Sequence, residues 1–210
     1  MIHSEAQLRQ LYAAPAERAL RKQLSALDRH CQRFIALSPF CVLATGGAAG
    51  ACMDASPRGG APGFVHVADA QTLWIPDASG NNRLDTLCNL LHDPRLGVLF
   101  MIPGVLETLR VNGTARLREE AVFTERFATA PFQPKLVIEL QVREAYLHCA
   151  KSVMRSKLWE VEQQVPRDVL PSMNAMIHDQ IGAPAPTESQ QEMLVRYERQ
   201  LADEQGTRSR

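Results

Sequence analysis

The chain has 210 residues, of which 45% are hydrophobic and 22% charged, a composition that excludes disorder and suits one domain with a helical extension. Its 23 Lys plus Arg balance 23 Asp plus Glu, so no net field steers it toward nucleic acid or an anionic membrane, and neither is expected as a partner. Five scattered cysteines without a C-x-x-C pair argue against a disulfide framework or a zinc site, and predict free thiols in a reducing compartment.

Residues 4–36 carry apolar residues at helical spacing (Leu8, Leu11, Tyr12, Leu20, Leu24, Leu27, Phe34), and Pro15 divides them into two helices. From residue 38 the pattern changes. Short apolar segments at 40–45, 51–55, 63–67 and 72–75 alternate with glycine and proline, the rhythm of antiparallel strands and tight turns. Leu84, Leu87, Leu90 and Leu91 mark a helix ended by Asp93-Pro94, and 96–102 reads as a buried strand. Residues 107–117 alternate, with Leu109, Val111, Gly113, Ala115 and Leu117 on one face, and Thr108, Arg110, Asn112, Thr114 and Arg116 on the other. A short helix over 121–129 and a long strand over 135–148 follow.

Helices over 168–181 and 189–205 close the chain, joined by the stiff Gly182-Ala-Pro-Ala-Pro186. The Thr187-Glu-Ser-Gln190 sequence suits a capping box on the last one. The longest apolar run, 96–106, is broken by Gly97, Pro103 and Gly104 and falls short of the ~20 residues a membrane helix needs. No basic stretch followed by an apolar one opens the chain, so a cytoplasmic protein is expected. The fold class expected is α+β: a small split antiparallel β-barrel over 37–160, flanked by helical segments at 1–36 and 161–210.

Three clusters carry chemistry. In 75–85, a strand ends at Pro76, a turn rich in glycine and asparagine follows, and a helix is expected from near Asn82 with Arg83 in its first turn. Free N–H groups and a forked guanidinium there suit a phosphate; the same residues suit an ordinary capped helix with a solvated arginine. Asp54-Ala-Ser-Pro-Arg-Gly-Gly60 brings a strand into a turn with Ser56 and Arg58, either aimed over a pocket or solvated. Lys151, Arg155 and Trp159, spaced by four, share a helix face that suits a planar anion or plain solvation. Arg110 and Thr108 share the polar face of their strand, facing ligand or solvent. His148 and Cys149 are adjacent and point to opposite faces of a strand, and the other histidines lack metal-ligand spacing, so no metal is assigned.

The ordered series Ser38-Pro-Phe40, Ser56-Pro-Arg-Gly59, Ile75-Pro-Asp77, Gly80-Asn-Asn-Arg-Leu-Asp85, Asp93-Pro-Arg95, Leu109-Arg-Val-Asn-Gly113 and Arg155-Ser-Lys-Leu-Trp159 resembles the pyridoxamine 5'-phosphate oxidase-like FMN-binding split barrels over about residues 36–160. That resemblance implies a homodimer with FMN at the subunit interface. It implies that Arg58 and its strand, with Asn82 and Arg83, hold the phosphate and ribityl chain, and that Ile75, Pro76 and Asp77 pass near the flavin ring. Thr108 would contact the flavin, while Lys151, Arg155 and Trp159 would reach the flavin of the other subunit; Ser56, Asn81 and Arg110 complete the cofactor-binding set.

Vitamin B6 oxidases of the family carry a C-terminal Arg-Leu-x-Asp-Arg-type segment, and this chain ends instead in Glu192-Met-Leu-Val-Arg-Tyr-Glu-Arg199. The expected activity is therefore hydride transfer between FMN and an unidentified small molecule, not clearly vitamin B6. No catalytic side chain is assigned, and no G-x-G-x-x-G marks a nicotinamide domain. The alternative is a flavin- or haem-binding protein without turnover, with His66 or His148 as axial ligand.

Overall fold

The computed structural model describes residues 1–48, 52–78, 80–128 and 133–206. Seven strands form one antiparallel sheet: β1 (Phe40–Thr45), β2 (Asp54–Gly59), β3 (His66–Asp69), β4 (Thr72–Pro76), β5 (Arg95–Met101), β6 (Thr108–Arg118) and β7 (Val137–His148). Their spatial order is β2-β1-β5-β6-β7-β4-β3, the split barrel expected. The core is built from alternate residues: Cys41 and Leu43 of β1, Leu73 and Ile75 of β4, Leu96, Val98 and Phe100 of β5, Leu109 and Val111 of β6, and Leu140 and Val142 of β7. Each such side chain removed from water contributes about 1.5–3 kcal/mol.

The helices are α1 (Glu5–Leu11), α2 (Glu17–Arg21), α3 (Arg29–Leu37), α4 (Asp85–His92), α5 (Ala121–Thr124), α6 (Lys151–Ser156), α7 (Met173–Ile181) and α8 (Gln190–Gly206). Of these, α3 adds Cys31 and Ile35 to the core and α4 adds Leu87 and Leu90. Two polar bonds seat α4 on the β1–β2 side: Thr86 Oγ1 donates to Asp54 at 2.7 Å, and Asn89 Nδ2 donates to Thr45 Oγ1 at 3.0 Å.

Several boundaries differ from expectation for identifiable reasons. The N-terminal segment holds three helices rather than two, because Leu24 leaves helical geometry to exchange two 2.9 Å backbone hydrogen bonds with Ala145 of β7. The Ser56-Pro-Arg-Gly59 sequence is strand, not turn. Pro57 is tolerated because β2 is a sheet edge and needs no N–H there. The segment expected at 51–55 therefore begins at Asp54, residue 51 lying outside the described residues, and β3 begins at His66 rather than 63.

The helix expected over 121–129 is the short α5 followed by a 3-10 turn, Glu125–Phe127, with residue 129 outside the described part. A 3-10 turn at Arg167–Val169 delays α7 to Met173. The capping box lies two residues later than predicted: Glu192 Oε2 accepts from the Ser189 N–H at 2.8 Å, and Ser189 Oγ accepts from the Glu192 N–H at 3.2 Å.

Candidate functional site

The period of β2 sends Ser56 and Arg58 to the inner side, and Ala55, Pro57 and Gly59 outward. Across from them β4 ends at Pro76. Asp77 extends its pairing one step further, donating its N–H to Leu136 at 3.1 Å. The chain then turns back through residues 80–84, where Asn81 Oδ1 accepts the Arg83 N–H at 3.0 Å. Asn82 and Leu84 both adopt φ near 60°, a left-handed conformation that costs a leucine about 1–2 kcal/mol. This delays α4 to Asp85, so Arg83 precedes the helix instead of occupying its first turn. Leu84, as the N-cap residue, offers no side-chain acceptor to the first N–H groups of α4.

These segments enclose a cavity of about 670 Å³, within the ~300–1,000 Å³ of small-molecule sites. Its walls carry Ser56, Arg58, Pro76, Asp77, Asn81, Asn82 and Arg83, seven of the residues singled out in the sequence, together with the start of α4 and Lys135. Three cations, Arg58, Arg83 and Lys135, thus face two carboxylates, Asp77 and Asp85. Arg58 Nη1 donates to its neighbour Pro57 O at 3.0 Å, and Arg58 Nη2 lies 3.8 Å from Asp77 Oδ1. That separation is an ion pair beyond hydrogen-bond range. Burial pushes the Asp77 carboxyl above its ordinary value, partly offset by the Arg58 charge. Arg83 is exposed and bonded to Asp85 at 2.8 Å. Asp54 is occupied by Ser56 and Thr86.

The remaining predicted residues lie elsewhere. Ile75 is wholly buried in the core. Thr108 is buried opposite His148. Arg110 donates to Glu144 at 2.9 Å, with its guanidinium 4.3 Å from the centre of the Tyr146 ring. Lys151 and Arg155 are exposed on α6. Trp159 does not continue their line, because α6 stops at Ser156 with Lys157 in a left-handed cap, and the indole turns back to donate to Val105 O at 2.9 Å. Within one chain these residues do not meet the cavity.

Lys135, Thr86 and Phe64, which also line it, escaped the sequence reading. Lys135 precedes a strand whose register against β4 brings it there, and no local pattern reports that register. Of the two histidines considered as haem ligands, His66 lies 3.3 Å from Arg126 and edge-on to Trp74, while His148 lies against Tyr146. Among the described residues no cluster of three His, Cys, Asp or Glu could hold a metal, and no helix is long and apolar enough to cross a membrane.

The model of the pyridoxamine 5'-phosphate oxidase family matches residues 27–149. The chain belongs to that family. This member of the pyridoxamine 5'-phosphate oxidase family also matches solved structures of low identity. HupZ of Group A Streptococcus is 16% identical, with 58% of this chain and 93% of that one covered at a TM-score of 0.48. The FAD binding protein of Mycobacterium smegmatis is 12% identical, with 60% and 97% covered and a TM-score of 0.43. A NimC/NimA family protein of Clostridium acetobutylicum is 13% identical, with 59% and 88% covered and a TM-score of 0.41. No curated protein matches the chain. The family match takes in the whole sheet, β1 to β7, and leaves out α1, α2 and everything from α6 onward.

Proposed function

We propose that this protein is an FMN-dependent oxidoreductase that transfers a hydride between the flavin and a small molecule, as a cytoplasmic homodimer. The observation that carries the reading is the convergence of Arg58, Asn81, Asn82, Arg83, Lys135 and the uncapped start of α4 on one cavity. That donor set fits a phosphate ester. Guanidinium groups offer paired donors, the asparagines offer amides, and the first N–H groups of a helix favour an anion. When bound, FMN supplies the hydride chemistry at its ring. The chain's part is to hold the phosphate between Arg58 and Arg83, to orient the ribityl chain with Ser56 and the asparagines, and to cover part of the ring with Pro76.

The dimer is supported by the outer face of β2-β1-β5. Ala55, Pro57 and Gly59, then Phe40, Val42 and Ala44, then Gly97, Leu99 and Met101 point outward there, with Arg95 at the start of β5 as the one charge on that face. Faces so poor in charge mark association surfaces. A second copy seated on it would bring its own Thr108, Arg110, Lys151, Arg155 and Trp159 toward this cavity, which explains why they stand apart in one chain.

The test is a visible absorption spectrum of purified protein before and after adding FMN and gel filtration. A retained flavin band is expected. The Arg58→Ala, Arg83→Ala double variant should lose at least about 10–10²-fold in affinity, taking about 1.5–3 kcal/mol for the largely buried Arg58 alone. Undiminished retention by that variant would overturn the phosphate assignment, and no flavin at any concentration would overturn the function.

A further inference from the structure

The cavity contains a feature that phosphate binding does not require and, taken alone, opposes. Asp77 stands on its wall with its side chain only 18% exposed, facing the same Arg58 guanidinium that would hold the anion. The pair is loose, at 3.8 Å with no hydrogen bond between its members. Arg58 is instead fixed by its own bond to Pro57 O, so its remaining N–H groups are free to turn from Asp77 to another acceptor. Asp77 has no such alternative. Its backbone N–H is committed to Leu136, and among the described residues no side-chain hydrogen bond holds its carboxylate.

Resting on the flavin reading, we propose that Asp77 is a proton-linked gate of this site: a phosphate ester takes Arg58 from Asp77, and the displaced carboxyl takes up a proton. A charge balance in a half-buried space drives this exchange. Before binding, Arg58 offsets the Asp77 charge. After binding, Arg58 serves a phosphate, and Asp77 faces a second anion a few ångströms away in surroundings where water screens little. Loss of a positive neighbour and gain of a negative one both favour the neutral carboxylic acid. The desolvation that already raises Asp77 in the free protein acts in the same direction.

The other charged groups around Asp77 do not remove the conflict. From β2, Asp54 is occupied by Ser56 and Thr86. In the turn before α4, Arg83 is exposed and bonded to Asp85. From the segment before β7, Lys135 is exposed at the cavity mouth. Arg58 is thus the cation for which both anions compete at close range.

Proton uptake at one group makes affinity fall by up to about tenfold per pH unit between that group's pKa in the free protein and its raised pKa in the complex, and level off above the latter. The flavin phosphate's own second ionisation has the opposite effect, so the informative quantity is a ratio. FMN dissociation constants are measured by fluorescence quenching from pH 5 to 8.5 for the wild type and for Asp77→Asn, which keeps the shape and removes the titration. The wild-type to variant ratio is expected to rise by at least tenfold across that range, with the variant binding tighter at pH 8.

On the wild type alone, calorimetry in two buffers of different ionisation enthalpy should show uptake of up to about one proton per FMN near neutral pH. Riboflavin, which lacks the phosphate, should show none. A ratio that stays constant, or equal proton uptake for FMN and riboflavin, overturns the gate while leaving flavin binding standing. Absence of FMN binding in both proteins overturns the flavin reading itself, and the gate with it.

Discussion

Cys31 and Cys41 are buried in the core, and burial pushes both thiols up to about 12, Cys31 with a further upward push from Asp28. Cys52, Cys88 and Cys149 are exposed. A thiol reagent at pH 8 should therefore label three of the five cysteines in the folded protein, and all five only after unfolding, as counted by mass spectrometry. Histidines govern the acid side. Burial first, and then Arg126, holds His66 below its ordinary value, while burial with Arg110 and Lys22 does the same for His148. The unfolded chain then binds protons that the folded chain resists, so stability is complete above the usual histidine range and declines as pH falls through 6.5 toward the folded values. Melting temperature followed from pH 7.5 to 5 should fall, and His66→Gln should flatten part of that slope.

Gly113 shows how much one element depends on a missing atom. It lies at the irregularity between Asn112 and Gly113 in the β6–β7 pairing, where an added Cβ would stand 2.0 Å from the backbone oxygen of Gln141. Gly113→Ala should cost about 3 kcal/mol or more in chemical denaturation, whereas Gly80→Ala, with nothing within 4 Å, should cost little. The strands were readable because their alternation is local. Leu109, Val111 and Ala115 are buried and Arg116 is exposed, as the period of two requires. The start of α4 was not readable. A left-handed Leu84 contradicts leucine's own preference and is imposed by the turn returning from β4, a relation that no window of sequence contains. The break before α3 is of the same kind, since Leu24 answers to Ala145, more than a hundred residues away.

At the scale of the molecule, the apolar runs 40–45 and 96–102 carried more information than buried strands alone. Half of each run fills the core and the other half forms the charge-poor outer face, so strands apolar throughout signal cover on both sides. Val42 and Leu99 stand directly opposite one another on that face. Val42→Arg or Leu99→Arg should convert the proposed dimer to monomer in light scattering and lower the proposed flavin binding together, with core packing and melting temperature little changed. The lining of the cavity was legible as a series of residues; the distance of Thr108, Arg110, Lys151, Arg155 and Trp159 from it was not, because it depends on where β6 and α6 end up relative to β2.

The strand order also has a consequence for how the chain is made. The hairpin β3–β4 joins the remainder of the sheet through β7, which leaves the ribosome about 60 residues after β4 is complete. Until then the hairpin has no other strand beside it, and a two-stranded ribbon is marginal in water. Nascent chains that end before residue 137 should remain sensitive to protease across 66–76 even while β1, β2, β5 and β6 are already protected. Protection of that hairpin should appear in one step once residue 148 has cleared the exit tunnel.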